Sequence, residues 1–109
     1  MAKTIVHIQF KLTVPAAEYV QAVTPMAQVF VDLPGLEWKI WLRNEEAGTA
    51  GGVYLFSDAE AAQAFLDGPL VAQVRSAPML SDFQATRYGV IESLTATTRG
   101  PIATYVGDA

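Results

Sequence analysis

The stretch that most limits how this chain can fold runs from Leu36 to Phe56, where two short arms rich in aromatic and aliphatic residues flank an acidic loop. The first arm reads Leu-Glu-Trp-Lys-Ile-Trp-Leu-Arg and the second Gly-Gly-Val-Tyr-Leu-Phe. Turn chemistry bounds both: Pro34-Gly35 before, Asn44 to Gly48 between, Ser57-Asp58 after. This pattern predicts a β-hairpin, and everything else must pack around it.

Upstream, Thr4 to Leu12 alternates, with Val6, Ile8, Phe10 and Leu12 on one face and Ile5, His7, Gln9 and Lys11 on the other. A strand is expected there. Thr13 is positioned to cap a helix whose first turn holds Pro15, and Tyr19, Val20, Val23, Ala27, Phe30 and Val31 recur at helical spacing up to about Asp32. Pro25 lacks an N–H for the carbonyl of Gln21, so a kink or a restart capped by Thr24 is expected. Beyond the hairpin, Ser57 and Glu60 have capping-box spacing and start a second helix, which Gly68-Pro69 ends. Leu70 to Val74 suits a short helical piece, and Phe83 to Ile91 a fourth strand. The 109 residues make one domain, 1–109, and residues 94–109 form a tail that is either loose or an arm across a partner subunit.

The resulting order, β-α-β-β-α-β, is an α+β ferredoxin-like arrangement with two helical layers on one face of a four-stranded antiparallel sheet. If Val6 and Ile8 face the helices, the open face carries Ile5, His7 and Gln9, and by simple alternation Lys39, Trp41 and Arg43. An apolar open face, in a chain that is 51% hydrophobic and 17% charged, points to a homodimer formed sheet to sheet.

Composition excludes several functions. A formal charge of -4 without a Lys/Arg cluster argues against a nucleic-acid partner. No apolar run reaches the roughly 18 residues of a membrane span, and the N-terminus has no signal-peptide pattern, so a cytoplasmic protein without a membrane partner is expected. One histidine and no cysteine make a metal site unexpected. Gly51-Gly52 precedes no helix, so it signals close packing and not a phosphate loop.

Leu-Pro-Gly-Leu-Glu-Trp-Lys-Ile-Trp, then Ala-Gly-Gly-Val-Tyr-Leu-Phe-Ser-Asp, then Ala-Xaa-Xaa-Ala-Phe-Leu resembles the YdhR family of putative monooxygenases, in the dimeric α/β-barrel superfamily. The resemblance covers about Thr4 to Ile91. It implies a ferredoxin-like protomer, a homodimer whose sheets form a barrel, a ligand cavity between helices and sheet, and a monooxygenase that uses no cofactor. Cyclases and haem-degrading enzymes share that superfamily.

The candidate site residues follow from chemistry. Tyr54 offers a hydroxyl for a phenolate or enolate oxygen, and Arg87 a positive charge. His7, the one histidine, is either a general base or a hydrogen-bonded residue of the sheet interface. Trp38, Trp41 and Phe56 are candidate walls of an apolar pocket, with Lys39 a cation at its edge. Trp38 and Trp41, three apart, must point to opposite faces of a regular strand. Two functions stand: a cofactor-independent monooxygenase acting on a small aromatic or polyketide-like compound, with a cofactor-free cyclase or isomerase as its relative, or a non-catalytic dimeric module that binds a small apolar molecule.

Overall fold

The computed structural model describes residues 2–102. Four strands, β1 (Thr4–Leu12), β2 (Leu36–Asn44), β3 (Thr49–Phe56) and β4 (Leu80–Gly89), form one antiparallel sheet in the order β2-β3-β1-β4. This is the ferredoxin-like arrangement that the element order predicts.

Alternation in β1 is realised directly. Val6, Ile8 and Phe10 are buried against the helices, whereas Ile5 and His7 are only partly covered and Gln9 is exposed. Opposite them, Tyr54 pairs with Val6 and Gly52 with Ile8, so the helix-facing side of the central strands is continuous. Phe56, Phe65 and Tyr54 stack beneath the second helical layer, with centroids of Phe56 and Phe65 5.3 Å apart and of Tyr54 and Phe65 4.9 Å apart. Burying each such ring contributes roughly 1.5–3 kcal/mol, which makes this cluster the main anchor of helices to sheet.

The first helical layer breaks where Pro25 predicts. Helix α1 (Ala16–Val23) passes through a 3₁₀ turn (Thr24–Met26) into α2 (Ala27–Val31). Neither threonine caps as expected. The Thr13 hydroxyl donates to the Pro78 carbonyl at 2.8 Å, and the Thr24 hydroxyl donates back to Val20 at 2.7 Å. The tighter 3₁₀ turn, roughly 3.0 residues instead of 3.6, also rotates the helix face. Tyr19 and Phe30 point inward, but Val20 and Val31 are exposed, contrary to the uniform spacing read from sequence.

The second layer comprises α3 (Ala59–Leu66) and α4 (Pro69–Arg75). Its cap lies one residue later than the Ser57-Glu60 box predicts: the Asp58 carboxylate accepts from the Ala61 N–H at 2.8 Å. A carboxylate accepts more strongly than a hydroxyl and complements the helix dipole, which favours Asp58 over Ser57. Strand β4 starts at Leu80, three residues before the expected Phe83, through an irregularity opposite β1 where Asp82 has φ +53°.

The described part of the tail is ordered against its own sheet. Helix α5 (Glu92–Thr97) and the residues up to Ile102 lie over one end of the open face, where the Trp38 indole N–H donates to the Pro101 carbonyl at 2.7 Å and Ile102 is buried. Leu55, on that same face, is thereby fully buried. Up to Ile102 this segment packs on its own sheet, and residues 103–109 lie outside the described residues.

Replacing the helix cap, Asp58→Ala, is expected to destabilise the fold by about 1 kcal/mol. Urea unfolding followed by circular dichroism measures this, and Ser57→Ala should change the midpoint much less.

Candidate active site

The site originates in one irregularity of β2. Leu36 pairs with Phe56 and Trp38 with Leu55, so Glu37 is an extra residue and the strand changes parity at a bulge. From there Lys39 faces Tyr54 and Trp41 faces Gly52, both on the helix side of the sheet. Simple alternation placed Lys39, Trp41 and Arg43 on the open face, and the bulge reverses that assignment. Trp38, Ile40 and Leu42 take the open face instead.

The inserted parity builds a cavity of about 170 Å³ between sheet and helices. Ile8, Phe10 and Tyr54 form part of its floor, Trp41 and Phe30 one end, and Val71 with Phe83 part of another. The lining is almost wholly apolar.

Lys39 is its charged member, and Gln73, Tyr19 and Tyr54 are the other polar ones. The lysine Nζ lies 3.3 Å from the centroid of Trp41, 3.5 Å from that of Phe30 and 4.7 Å from that of Tyr54. Phe30 stands edge-on to Trp41, with centroids 5.2 Å apart, so the three rings form a cage around the amine. Gly52 makes this possible. A Cβ there would meet Lys39 Cε at 3.1 Å and the Tyr54 ring at 3.3 Å, both tight, so the missing side chain leaves room for the lysine stem.

The chain has three lysines, and their surroundings differ sharply. Lys3 pairs with Glu37, and Lys11 with Asp82 at 3.3 Å. Among the described residues Lys39 has neither a carboxylate nor a hydrogen-bond partner. Burial pushes its pKa down from 10.5 to about 7, because desolvation penalises the ammonium. The ring faces act in the opposite sense, each favouring a cation by roughly 0.5–2 kcal/mol.

Tyr54 sits across the strand pair from Lys39. Burial raises its pKa, and the nearby Tyr19 raises it further, so the hydroxyl stays protonated and can only act as a neutral donor or acceptor at physiological pH. Tyr19, lining the same cavity from α1, is also raised by burial. An apolar chamber, one amine of depressed basicity and protonated phenols can accept a proton from a weakly acidic ligand and hydrogen-bond the resulting anion.

Of the seven residues singled out from sequence, Tyr54, Lys39 and Trp41 converge on the cavity. Four do not line it. His7 lies on the opposite face, paired with Val53 and Thr86. Trp38 occupies that face too, bound to Pro101. Arg87 stands on the helix side of edge strand β4, where its guanidinium donates to the Ala59 carbonyl at 3.4 Å. Phe56 is core packing under Phe65. Sequence reading assigned Phe30 and Tyr19 to the helical core only, and passed over Gly52 as a packing glycine. Phe30 reaches the cavity from α2, after the break at Pro25 that the sequence did signal, and Tyr19 from α1.

The family described as "Putative mono-oxygenase ydhR" matches residues 5–101. The chain belongs to the YdhR family. That match extends beyond Ile91 through α5 to the segment that holds Trp38. Solved structures agree in fold. A cofactor-independent oxygenase of Streptomyces nogalater, SnoaB, is 17% identical with TM-score 0.67, over 86% of this chain and 98% of that one. The heme-degrader MhuD of Mycobacterium tuberculosis, with two hemes in its active site, is 19% identical with TM-score 0.64, over 80% of this chain and 95% of that one. A monooxygenase of Streptomyces coelicolor, from the gene ActVA-Orf6 and bound to nanaomycin D, is 12% identical with TM-score 0.62, over 82% and 88%. No curated protein matches the sequence. Among the described residues of this YdhR-family chain no helix is long and apolar enough to cross a membrane.

The lowered pKa of Lys39 carries a linkage consequence. Between about pH 7 and 10.5 the unfolded chain binds this proton and the folded one does not, so stability rises with pH across that window. The thermal midpoint of the parent should therefore gain, from pH 7 to pH 9, relative to Lys39→Met. Calorimetry on both proteins checks the difference, and parallel pH profiles would contradict it.

Proposed function

We propose that this YdhR-family protein is a cofactor-independent monooxygenase acting on a small phenolic ring held between sheet and helices. The observation that supports it best is the pairing of a caged amine, Lys39, with the hydroxyl of Tyr54 on the wall of an aromatic cavity. The cavity volume, about 170 Å³, is close to the roughly 150 Å³ of an apolar site that holds one benzene ring. A single ring fits; a fused three-ring polyketide skeleton does not without displacing lining side chains.

The chemistry closes without a redox cofactor. The neutral amine of Lys39 takes the phenol proton, leaving a phenolate beside an ammonium, and Tyr54 donates a hydrogen bond to the phenolate oxygen. The electron-rich ring carbon para to that oxygen transfers electrons to O2 and forms the C–O bond of a hydroperoxide. Loss of water from this intermediate yields a quinone: one oxygen atom stays in product, the other leaves as water, and the substrate supplies all the electrons. Exclusion of bulk water strengthens the ammonium–phenolate attraction.

Haem degradation, the activity of MhuD, is less favoured here. The single imidazole lies on the far side of the sheet from the cavity, so it supplies no iron ligand there. A homodimer formed through the open sheet face is part of this proposal. Ile40 and Leu42 remain exposed on that face beside His7, and two apolar side chains in water favour a partner.

Light scattering on a size-exclusion peak should give about twice 11.7 kDa. Oxygen uptake across a panel of single-ring phenols should identify a substrate, with turnover lowered severalfold in Tyr54→Phe and more in Lys39→Met. His7→Ala should leave turnover in place and weaken the dimer. Full activity in Tyr54→Phe, together with loss in His7→Ala while the dimer persists, would move the active site to the opposite face.

A further inference from the structure

We propose that Lys39 is a nucleophilic amine that forms a reversible imine with a carbonyl compound the size of one ring, such as an aryl aldehyde. This reactivity needs no oxygen and goes beyond the monooxygenase reading.

Placement is the first argument. Lys39 Nζ lines the cavity and is the nitrogen of the one lysine that lacks an acidic partner among the described residues. Lys3 and Lys11 each face a carboxylate. Lys39 is surrounded instead by ring faces and aliphatic walls. The titratable groups that share its cavity are the hydroxyls of Tyr54 on β3 and Tyr19 on α1, both of which stay neutral. Desolvation in such a pocket is the way a lysine becomes a nucleophile, and the depressed basicity of Lys39 agrees with it.

Access is the second argument. Among the described residues neither Nζ nor the Tyr54 hydroxyl is a fully enclosed atom without a partner, and both side chains line the cavity. The faces of the Trp41, Phe30 and Tyr54 rings lie against the amine, so a carbonyl carbon would meet it from the cavity that these residues line.

The step balances. The nitrogen lone pair adds to the carbonyl carbon, an N–H proton moves to the oxygen, and the carbinolamine loses that oxygen as water while the C=N bond forms. Tyr54, cross-strand from Lys39, is placed to donate a proton to the departing hydroxyl and recover one from the nitrogen. Nothing is oxidised or reduced.

The test is reductive trapping under anaerobic conditions. The parent protein is treated with benzaldehyde and sodium cyanoborohydride, and benzylation is mapped by peptide mass spectrometry. At neutral pH labelling of Lys39 should exceed that of Lys3 and Lys11 by at least about tenfold, the factor that one unit of lowered pKa yields in neutral amine. Its pH midpoint should lie below the range ordinary for a lysine. An anthracene aldehyde, too large for the chamber, should not label Lys39. Lys39→Met, which keeps the stem and removes the amine, should abolish the selective product without lowering the thermal midpoint at neutral pH; should this variant unfold, protection of Lys39 in the parent by toluene, with Lys3 and Lys11 unaffected, answers the same question. Equal labelling of the three lysines, an unlabelled Lys39, or no protection by toluene overturns the proposal. Because oxygen is absent, trapping at Lys39 without oxygen uptake by any phenol leaves the imine chemistry standing and removes the oxygenase reading, and the reverse result does the opposite.

Discussion

The pairing of β2 with β3 is the constraint on which the site depends. One inserted residue, Glu37, separates Leu36 on the helix side from Trp38 on the open side. Had the strand run without it, alternation would have sent Lys39 and Trp41 away from the helices and Trp38 towards them. The bulge therefore decides which tryptophan walls the cavity and whether the cavity has an amine at all. Gly52 completes the arrangement, since a side chain there would press on both Lys39 and Tyr54.

A lysine in that position is costly to the fold. Desolvating an ammonium without a carboxylate is among the least favourable burials a chain can make, and three ring faces offset it only in part. The protein responds by lowering the affinity of the amine for its proton. Such a group is poorly explained by stability alone, and a depressed lysine in a cleft has the features of a functional site. The same burial holds Tyr54 in its protonated form, so the two side chains are driven apart in protonation state: one becomes a base, the other a hydrogen-bond donor.

The two faces of the sheet thus serve different purposes. On the helix side, Tyr54, Phe65 and Phe56 tie the layers together, and the cavity extends from Tyr54 to Phe30 and Trp41. On the open side, α5 and the segment to Ile102 cover Leu55 and fasten to Trp38, leaving His7, Ile40 and Leu42 for whatever meets that surface. The YdhR family match spans both regions, so the segment after β4 belongs to the family unit and is not an appendage.

Local chemistry in the sequence determined the elements and their order. Alternation in Thr4 to Leu12, the turn residues around the hairpin and the break at Pro25 act over a few residues, and each is realised in the structure. Tyr54 was legible as a cavity residue because no irregularity intervenes in β3 between it and its neighbours. The opposite facing of Trp38 and Trp41 was legible too, since a separation of three fixes their relation whatever the absolute parity. Which of them entered the cavity was decided by tertiary structure. A bulge depends on how a strand pairs with its neighbour, and Glu37 carries no local mark of being the extra residue. The same holds for the return of residues 98–102 onto Trp38 and the approach of Phe30 from α2 to Lys39 on β2. These contacts join positions far apart in the chain, and their energies exist only once sheet and helices have closed on each other.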